Sequence, residues 1–266
     1  MAWTEWLQWL FTGTNGFILY WSLLFVFAAL ELIRPSAPRG IALAPRLKVN
    51  FGLGIITAAL GSLPFLSEIV LASTVADHGW GLLNRLPINT GWQIAVSFLA
   101  YDLFGYGVHR LEHRWQPLWR LHRIHHSDND MDLTTLFRTH PLSALLGVAF
   151  HMVLIVSLGI HPVGIILHEF AKLVAMGLGH AKVAASPRLS SLCSLLVVTP
   201  AFHAFHHSAC QPETDSNYGE VLTIWDHLLG TTSRRKGDVD RFGLGDAYDS
   251  DAASLAGQLK LPFISR

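Results

Sequence analysis

Charge is what this chain has least of: 14% of its residues are Asp, Glu, Lys or Arg, against about 25% in a typical soluble domain. With 51% of residues hydrophobic, that shortage excludes a fully solvated surface and points to lipid as part of the solvent. Nor does either sign dominate. Lys+Arg and Asp+Glu number 19 each, for a formal net charge of zero, so nucleic acid, which demands a basic face, is set aside as a partner. Cysteine is nearly missing. Cys193 and Cys210 are the only two, too few and too far apart for a cysteine-rich zinc site, and they read as ordinary thiols. The 266 residues suit a single domain or one compact membrane bundle. Histidine is the excess. There are 15 against 5 tyrosines, and most fall in short clusters.

Long apolar runs explain the composition. Gly16 to Ile33 is nearly all apolar, and about 20 such residues span a bilayer core as a helix. Asn50 to Ala76 is a second run, broken by Gly61 and Pro64, which predicts a kinked span or a pair of half-helices. Trp92 to Val108 is a third. Ser143 to Gly179 is apolar again but interrupted by Gly159, His161 and Pro162, predicting two short spans in a hairpin. The expected fold class is therefore all-α, an integral membrane helical bundle of four or five spans. Trp3, Trp6, Trp9 and Phe11 around Glu5 read as an interfacial segment with an aromatic anchor. A cleaved signal peptide is not expected, because its positively charged start is missing.

Arg34, Arg39, Arg46 and Lys48 follow the first span, whereas the loop from Asp77 to Asn89 carries only Arg85. The positive-inside rule makes the Arg-rich loop cytoplasmic. The third span then returns the chain to the cytoplasm at His109, and Arg110, Arg114, Arg120, Arg123, Arg138, Arg234, Arg235 and Lys236 agree with that side. A cytoplasmic histidine-rich helical cap is thus expected. Three regions follow: N-terminal membrane helices at 1–90, a histidine-rich catalytic region with the membrane hairpin at 91–232, and a polar C-terminal tail at 233–266.

The first cluster, His109 and His113, is an H-x-x-x-H pattern, whose i and i+4 imidazoles share one helix face. His122, His125 and His126 form H-x-x-H-H, in which i, i+3 and i+4 are again expected on one face. His203, His206 and His207 repeat that pattern almost eighty residues later. Eight buried imidazoles without partners would be costly, and coordination to a cation supplies partners. Imidazole suits iron, zinc, copper and nickel, and eight ligands exceed what one ion accepts, so two ions are the natural count. Two zinc ions would activate water; two irons with open positions would activate dioxygen. One alternative is a membrane zinc metallohydrolase using His109, Glu112 and His113, since H-x-x-E-H is also the short inverzincin pattern; it leaves six clustered histidines unexplained. A metal transporter would need polar residues along several spans. Here they gather at one face.

At these residues the chain resembles the fatty acid hydroxylase and sterol desaturase superfamily. Its pattern of H-x-x-x-H, H-x-x-H-H and a distant H-x-x-H-H matches in order and spacing. Further strings agree: Leu118-Trp119, His125 to Asp128, Arg138 with His140-Pro141, Thr199-Pro200, Asn217-Tyr218-Gly219, and Trp225-Asp226 before Leu229-Gly230-Thr231. The likeness covers roughly residues 95 to 232. It implies a diiron centre held by the eight histidines as the catalytic core, and oxygen-dependent hydroxylation, desaturation or ether cleavage of a lipid such as a fatty acyl chain or sterol. It also implies His180 as a ninth ligand from the span before the third cluster. Dioxygen is then the co-substrate, and since no flavin or dinucleotide fingerprint is present, electrons come from a separate reductase, ferredoxin or cytochrome. A short chain with few inserted loops suits a bacterial inner membrane.

Metal-bound imidazoles usually donate their free N–H to a carboxylate or carbonyl. Asp102, Glu112, Asp128 and Asp226 are candidates. Asp102 leads them, because a carboxylate inside a span needs a reason, although an ion pair to an arginine would also supply one. Asn217 and Tyr218 either brace the third cluster or form a turn. His168 is read as a packed polar residue, with ligand and substrate contact as the other readings, and His140 as a support for the site or a helix cap. His78, His151, His161 and His227 are read as structural.

Overall fold

The computed structural model describes residues 3–37, 43–235, 237–245 and 253–264; Arg39 and Lys236, used in the charge argument above, lie outside them. Among the described residues the chain is helical, and three isolated bridges are its only β-contacts.

The aromatic N-terminal segment is helix α1 (Trp3–Phe11), and α2 (Gly13–Ile33) follows directly. Gly13, at φ 57°, takes the left-handed conformation that a side chain disfavours, which lets the chain turn between them. The second apolar run divides as its Gly and Pro suggest. It gives α3 (Leu43–Gly61), a single 3-10 turn at Pro64–Leu66, and the short α4 (Glu68–Asp77), whose N-cap Ser67 accepts from Val70 N. Helix α5 (Thr90–Arg114) and the short α6 (Gln116–His122) carry the chain into the cap.

The hairpin is α7 (Pro141–Leu154), ending in a π turn at Ile155–Gly159, and α8 (Pro162–His180). Both helices start with a His-Pro pair. His140 Nδ1 accepts from Leu142 N, and His161 Nδ1 from Val163 N, while the prolines occupy first-turn positions where no N–H is missed.

Four helical stretches are long and apolar enough to cross a membrane: Gly13–Ile33, Leu43–Gly61, Pro141–Gly159 and Pro162–His180. Trp92 to Val108, expected as a third span, lies in α5, which is not among the four because Gln93 and Asp102 dilute its apolar stretch. The ten-residue α4 is the second piece into which Gly61 and Pro64 divide the Asn50 to Ala76 run. Helix α8 is central: 56% of its apolar window is buried, against 17–22% for the other three. Its contact with α5 is close at Gly164, where a Cβ would fall 2.6 Å from Ser97 Cβ and 3.1 Å from the Ile94 carbonyl.

The cap is fixed to α3 by buried charge. Arg46 forks onto Asp128 at 2.8 and 2.9 Å and reaches Asp132 at 2.8 Å. Thr135 Oγ1 donates to Asp128 at 2.8 Å, and Arg138 donates to Asn50 Oδ1 and Ser127 Oγ, both at 3.0 Å. Burial alone would raise the Asp128 pKa. The Arg46 hydrogen bonds and the Arg138 charge outweigh it and hold the carboxyl well below the usual range. The C-terminal stretch, expected to be a polar tail, folds back through α13 (Leu255–Lys260). Leu255, Leu259 and Leu261 pack on Val49, Leu53 and Ile124.

Candidate metal centre

The cap brings nine histidines together and sorts them into two groups. His109, His113, His122, His126 and His206 form group A; His125, His180, His203 and His207 form group B. Within each group one nitrogen per ring lies within 4.8 Å of all the others.

The sorting follows helix geometry. His109 and His113 sit on α5, one turn apart, and both face group A. In the second cluster the i, i+4 pair His122 and His126 also faces group A, while His125 turns to group B. The third cluster, on α10 (Pro200–His206), reverses this: the pair His203 and His207 serves group B, and His206 serves group A. The expectation that i, i+3 and i+4 share one face holds only for the i, i+4 pairs. The middle histidine lies about 100–120° round the turn from the last one and points elsewhere, both in the 3-10 turn at His125–Ser127 and in the helix that holds His206. His180 ends α8 and stands in group B.

Backbone carbonyls set the ring orientations. His109 Nδ1 lies 2.8 Å from the Tyr218 carbonyl, His206 Nδ1 2.8 Å from that of Ser216, and His180 Nδ1 2.7 Å from that of Met176. Each bond fixes the tautomer that leaves Nε2 bare toward its group. Glu112 Oε2 does the same for His122 Nδ1 at 3.1 Å, and its other oxygen accepts from Ser143 at 2.9 Å.

The loop carrying Ser216 and Tyr218 is itself braced. Asp226 accepts from Tyr218 N at 2.9 Å, Gly219 N at 2.7 Å and Thr231 Oγ1 at 2.6 Å. Asn217, at φ 56°, donates to the Phe202 carbonyl of α10 at 2.8 Å, so it both makes the turn and braces the third cluster. Asn tolerates that conformation better than most residues.

Several nitrogens are left in need of a cation. His109 Nε2, His113 Nε2 and His206 Nε2 are buried without a hydrogen-bond partner. In group B, Nε2 atoms face one another at 3.1 Å (His125 and His180), 3.2 Å (His180 and His203) and 3.1 Å (His203 and His207). Bare imidazole nitrogens are acceptors that repel at such distances unless a proton or a metal ion lies between them. Burial first, and then the neighbouring imidazoles, hold His113, His125, His126, His203, His206 and His207 well below the ordinary histidine pKa. They are therefore neutral near pH 7, the form that binds metal. The donor set fits two ions.

Of the supporting carboxylates expected from sequence, Glu112 and Asp226 stand where that role requires, the latter through backbone. Asp102 does not. Its oxygens take His168 Nε2 at 3.1 Å and Trp225 Nε1 at 2.7 Å, neither of them in a metal group, so the reason for its burial is an ion pair between α5 and α8. Asp128 braces the cap through Arg46 rather than through a histidine. His168 is a packed polar residue, His140 a helix cap, and His151, stacked on Tyr101 at 4.4 Å, is structural. Sequence reasoning missed the carbonyls of Ser216 and Met176, which no side-chain pattern announces, and the roles of Arg46 and Asn50.

Comparison with known proteins agrees with this centre. The chain is 30% identical over 193 residues to the ornithine lipid hydroxylase OlsE of Rhizobium tropici, covering 72% of this chain and 53% of that protein. It is 31% identical over 179 residues to the alkylglycerol monooxygenase of Homo sapiens, covering 66% and 39%. The fatty acid hydroxylase vlmA of Lecanicillium sp is 27% identical over 193 residues, covering 64% and 51%. The chain thus spans about half the length of these curated relatives or less. No solved structure matches it significantly. The pattern of the fatty acid hydroxylase family matches residues 94–231, a stretch holding all nine clustered histidines, and the chain belongs to that family.

Proposed function

We propose that this chain is a membrane-bound lipid oxygenase in which residues 91–232 form the catalytic region and the two histidine groups each hold an iron ion. The observation that carries this reading is the sorting of nine imidazoles into two adjacent groups. Five nitrogens in group A exceed the four-coordinate habit of structural zinc and suit an ion of higher coordination number, such as iron. When bound, such a pair of ions activates dioxygen with two electrons from outside and inserts oxygen into, or removes hydrogen from, a C–H bond.

The chain's own residues prepare that chemistry. The Tyr218, Ser216 and Met176 carbonyls hold His109, His206 and His180 in a single tautomer. Tyr218, buried and edge-on to His109, His113 and His206, shields group A from water. Three lipid-facing helices around α8 give an apolar substrate lateral access. Electrons are supplied by a separate ferredoxin, cytochrome or reductase docking on the histidine-bearing face. Arg110, Arg114 and Arg120 lie on that face and, with Arg34, Arg46 and Lys48, support a cytoplasmic orientation in a bacterial inner membrane.

The zinc hydrolase reading needs Glu112 free as a base. Both of its oxygens are engaged, one by His122 and one by Ser143, which speaks against it. The test is elemental analysis of protein purified anaerobically with iron, beside His125→Ala and His206→Ala. Two irons per chain, with one lost in each variant, together with oxygen- and reductant-dependent oxidation in a lipid screen, is the expected result. Tight zinc that iron does not replace, or one ion unaffected by either variant, would overturn the reading.

A further inference from the structure

Helix α8 carries three ionisable side chains within five residues near its middle, His168, Glu169 and Lys172, where a spanning helix needs a reason for each. Two are balanced within the protein. His168 Nε2 meets Asp102 at 3.1 Å, and Lys172 Nζ meets Glu220 at 2.8 Å. Two further carboxylates lie beside these pairs, so that four carboxylates share two cationic side chains. Glu169 is 3.2 Å from His168 Nδ1, whose charge Asp102 already answers. Glu68, on α4, accepts from the Tyr101 hydroxyl and stands 3.7 Å from His151 Nδ1.

Both carboxylates line one cavity of about 390 Å³ between α4, α5, α7 and α8, together with Tyr101, His151 and Lys172. His151 Nε2 is buried there without a hydrogen-bond partner. On the same wall Gly147 leaves open space, since a Cβ built on it meets nothing within 4 Å. A second cavity of about 370 Å³ adjoins it, sharing Ile69, Glu169 and Lys172. Its remaining lining is largely apolar and includes Leu173, Met176 and Leu136. Met176 lies one helical turn before His180, whose Nδ1 contacts its carbonyl. From Lys172 to His180 is eight residues, or roughly 12 Å along a helix.

We infer that these joined cavities bind an amine-bearing membrane lipid, with its ammonium group between Glu68 and Glu169 and its chain running along α8 past Leu173 and Met176 toward group B. Four carboxylates, Asp102, Glu220, Glu169 and Glu68, set against His168 and Lys172 leave the cavity short of positive charge, which attracts an ammonium and repels the carboxylate of a free fatty acid. The size and the split into a polar and an apolar part match an amphiphile rather than a compact solute. That the bound lipid is the molecule oxidised rests on the proposed function; that it binds does not.

The test uses the full chain in nanodiscs and a photoreactive dodecylamine with a diazirine on its terminal carbon, beside dodecanol and dodecanoic acid probes of the same design. The amine is expected to label the protein saturably at least tenfold more efficiently than the other two, with label on Leu173, Met176 or Leu136. Glu68→Gln and Glu169→Gln each reduce amine labelling at least tenfold and leave dodecanol labelling unchanged. Gly147→Leu, whose Cβ meets nothing within 4 Å, places its side chain at the cavity wall and reduces amine labelling as well. Unlabelled phosphatidylethanolamine competes and butylamine does not, because the lipid chain contributes to binding.

Equal labelling by the three probes on the unaltered chain, which depends on no variant, would overturn the inference. So would amine labelling that survives both glutamine variants, or competition by butylamine equal to that by the lipid. Labelling needs neither iron nor dioxygen. A chain that prefers the amine but binds no iron therefore refutes the oxygenase alone, and an iron-loaded chain that oxidises lipid without amine preference refutes this inference alone.

Discussion

Asp226→Asn tests whether the two histidine groups are separately supported. The carboxylate accepts from Tyr218 N at 2.9 Å and Thr231 Oγ1 at 2.6 Å through Oδ1, and from Gly219 N at 2.7 Å through Oδ2. Asparagine keeps the shape and one acceptor. Its amide nitrogen, placed where Oδ2 was, faces the Gly219 N–H donor to donor, and a buried N–H left unpaired costs about 1–3 kcal/mol. The loop has little room to relax, since a Cβ on Gly219 would already lie 2.7 Å from the Leu222 carbonyl. The strain therefore passes to Tyr218, whose carbonyl orients His109. Losing such a supporting contact typically lowers metal affinity 10- to 100-fold, or about 1.4–2.7 kcal/mol at 1.36 kcal/mol per factor of ten. The two estimates coincide.

The assay is release of iron to a chelator, resolved into two phases, on the iron-loaded protein. Asp226→Asn is expected to speed one phase about 10- to 100-fold and the other much less, because the 216–219 loop orients His109 and His206 directly and reaches group B only through the Asn217 bond to the Phe202 carbonyl. Equal acceleration of both phases would refute separate support. Release identical to the unaltered protein would refute the chain from Asp226 through Tyr218 to His109.

Other predictions follow from the same contacts. Arg46→Met strands the buried Asp128 carboxylate and is expected to cost about 3–5 kcal/mol; in denaturant titrations in detergent the double variant Arg46→Met, Asp128→Asn recovers part of it, and strictly additive losses would show the pair to be uncoupled. Because the folded Asp128 pKa is depressed, its contribution is present above the unfolded value of about 3.9 and is lost as pH falls through the folded one; thermal stability should decline below about pH 4, and less steeply in Asp128→Asn. Gly164→Leu forces side-chain atoms into α5, where even a Cβ would lie 2.6 Å from Ser97 Cβ, and should destabilise by at least about 1–3 kcal/mol, read as a lower midpoint of aggregation on heating. Glu112→Gln keeps an acceptor for His122 and is expected to weaken group A by about tenfold or less, measured as chelator competition, whereas complete loss of activity with both irons retained would restore Glu112 as a candidate base.

The sequence reveals which residues gather at the centre but not how they divide, and the reason is physical. Spacing reports local periodicity, and an i, i+4 pair stays on one face wherever a helical turn persists. That rule alone recovers His109 with His113, His122 with His126, and His203 with His207. The middle histidine of each H-x-x-H-H cluster lies about 100–120° round the turn from the last one, so it reaches a second group whether it sits in a 3-10 turn, as His125 does, or inside a helix, as His206 does, and which group that is depends on what packs against it. Asp102 misleads for a related reason: a carboxylate in an apolar helix announces that a partner exists, not which one, and α8 supplies His168 from 66 residues away. The long pairing of Arg46 with Asp128, across 82 residues, is likewise beyond any local pattern. It has a consequence for the centre, because Asp128 follows His126 by two residues and ties that turn to α3. The middle histidine, His125, can therefore leave the face of its neighbours without freeing the backbone, and one short segment supplies ligand positions to both groups.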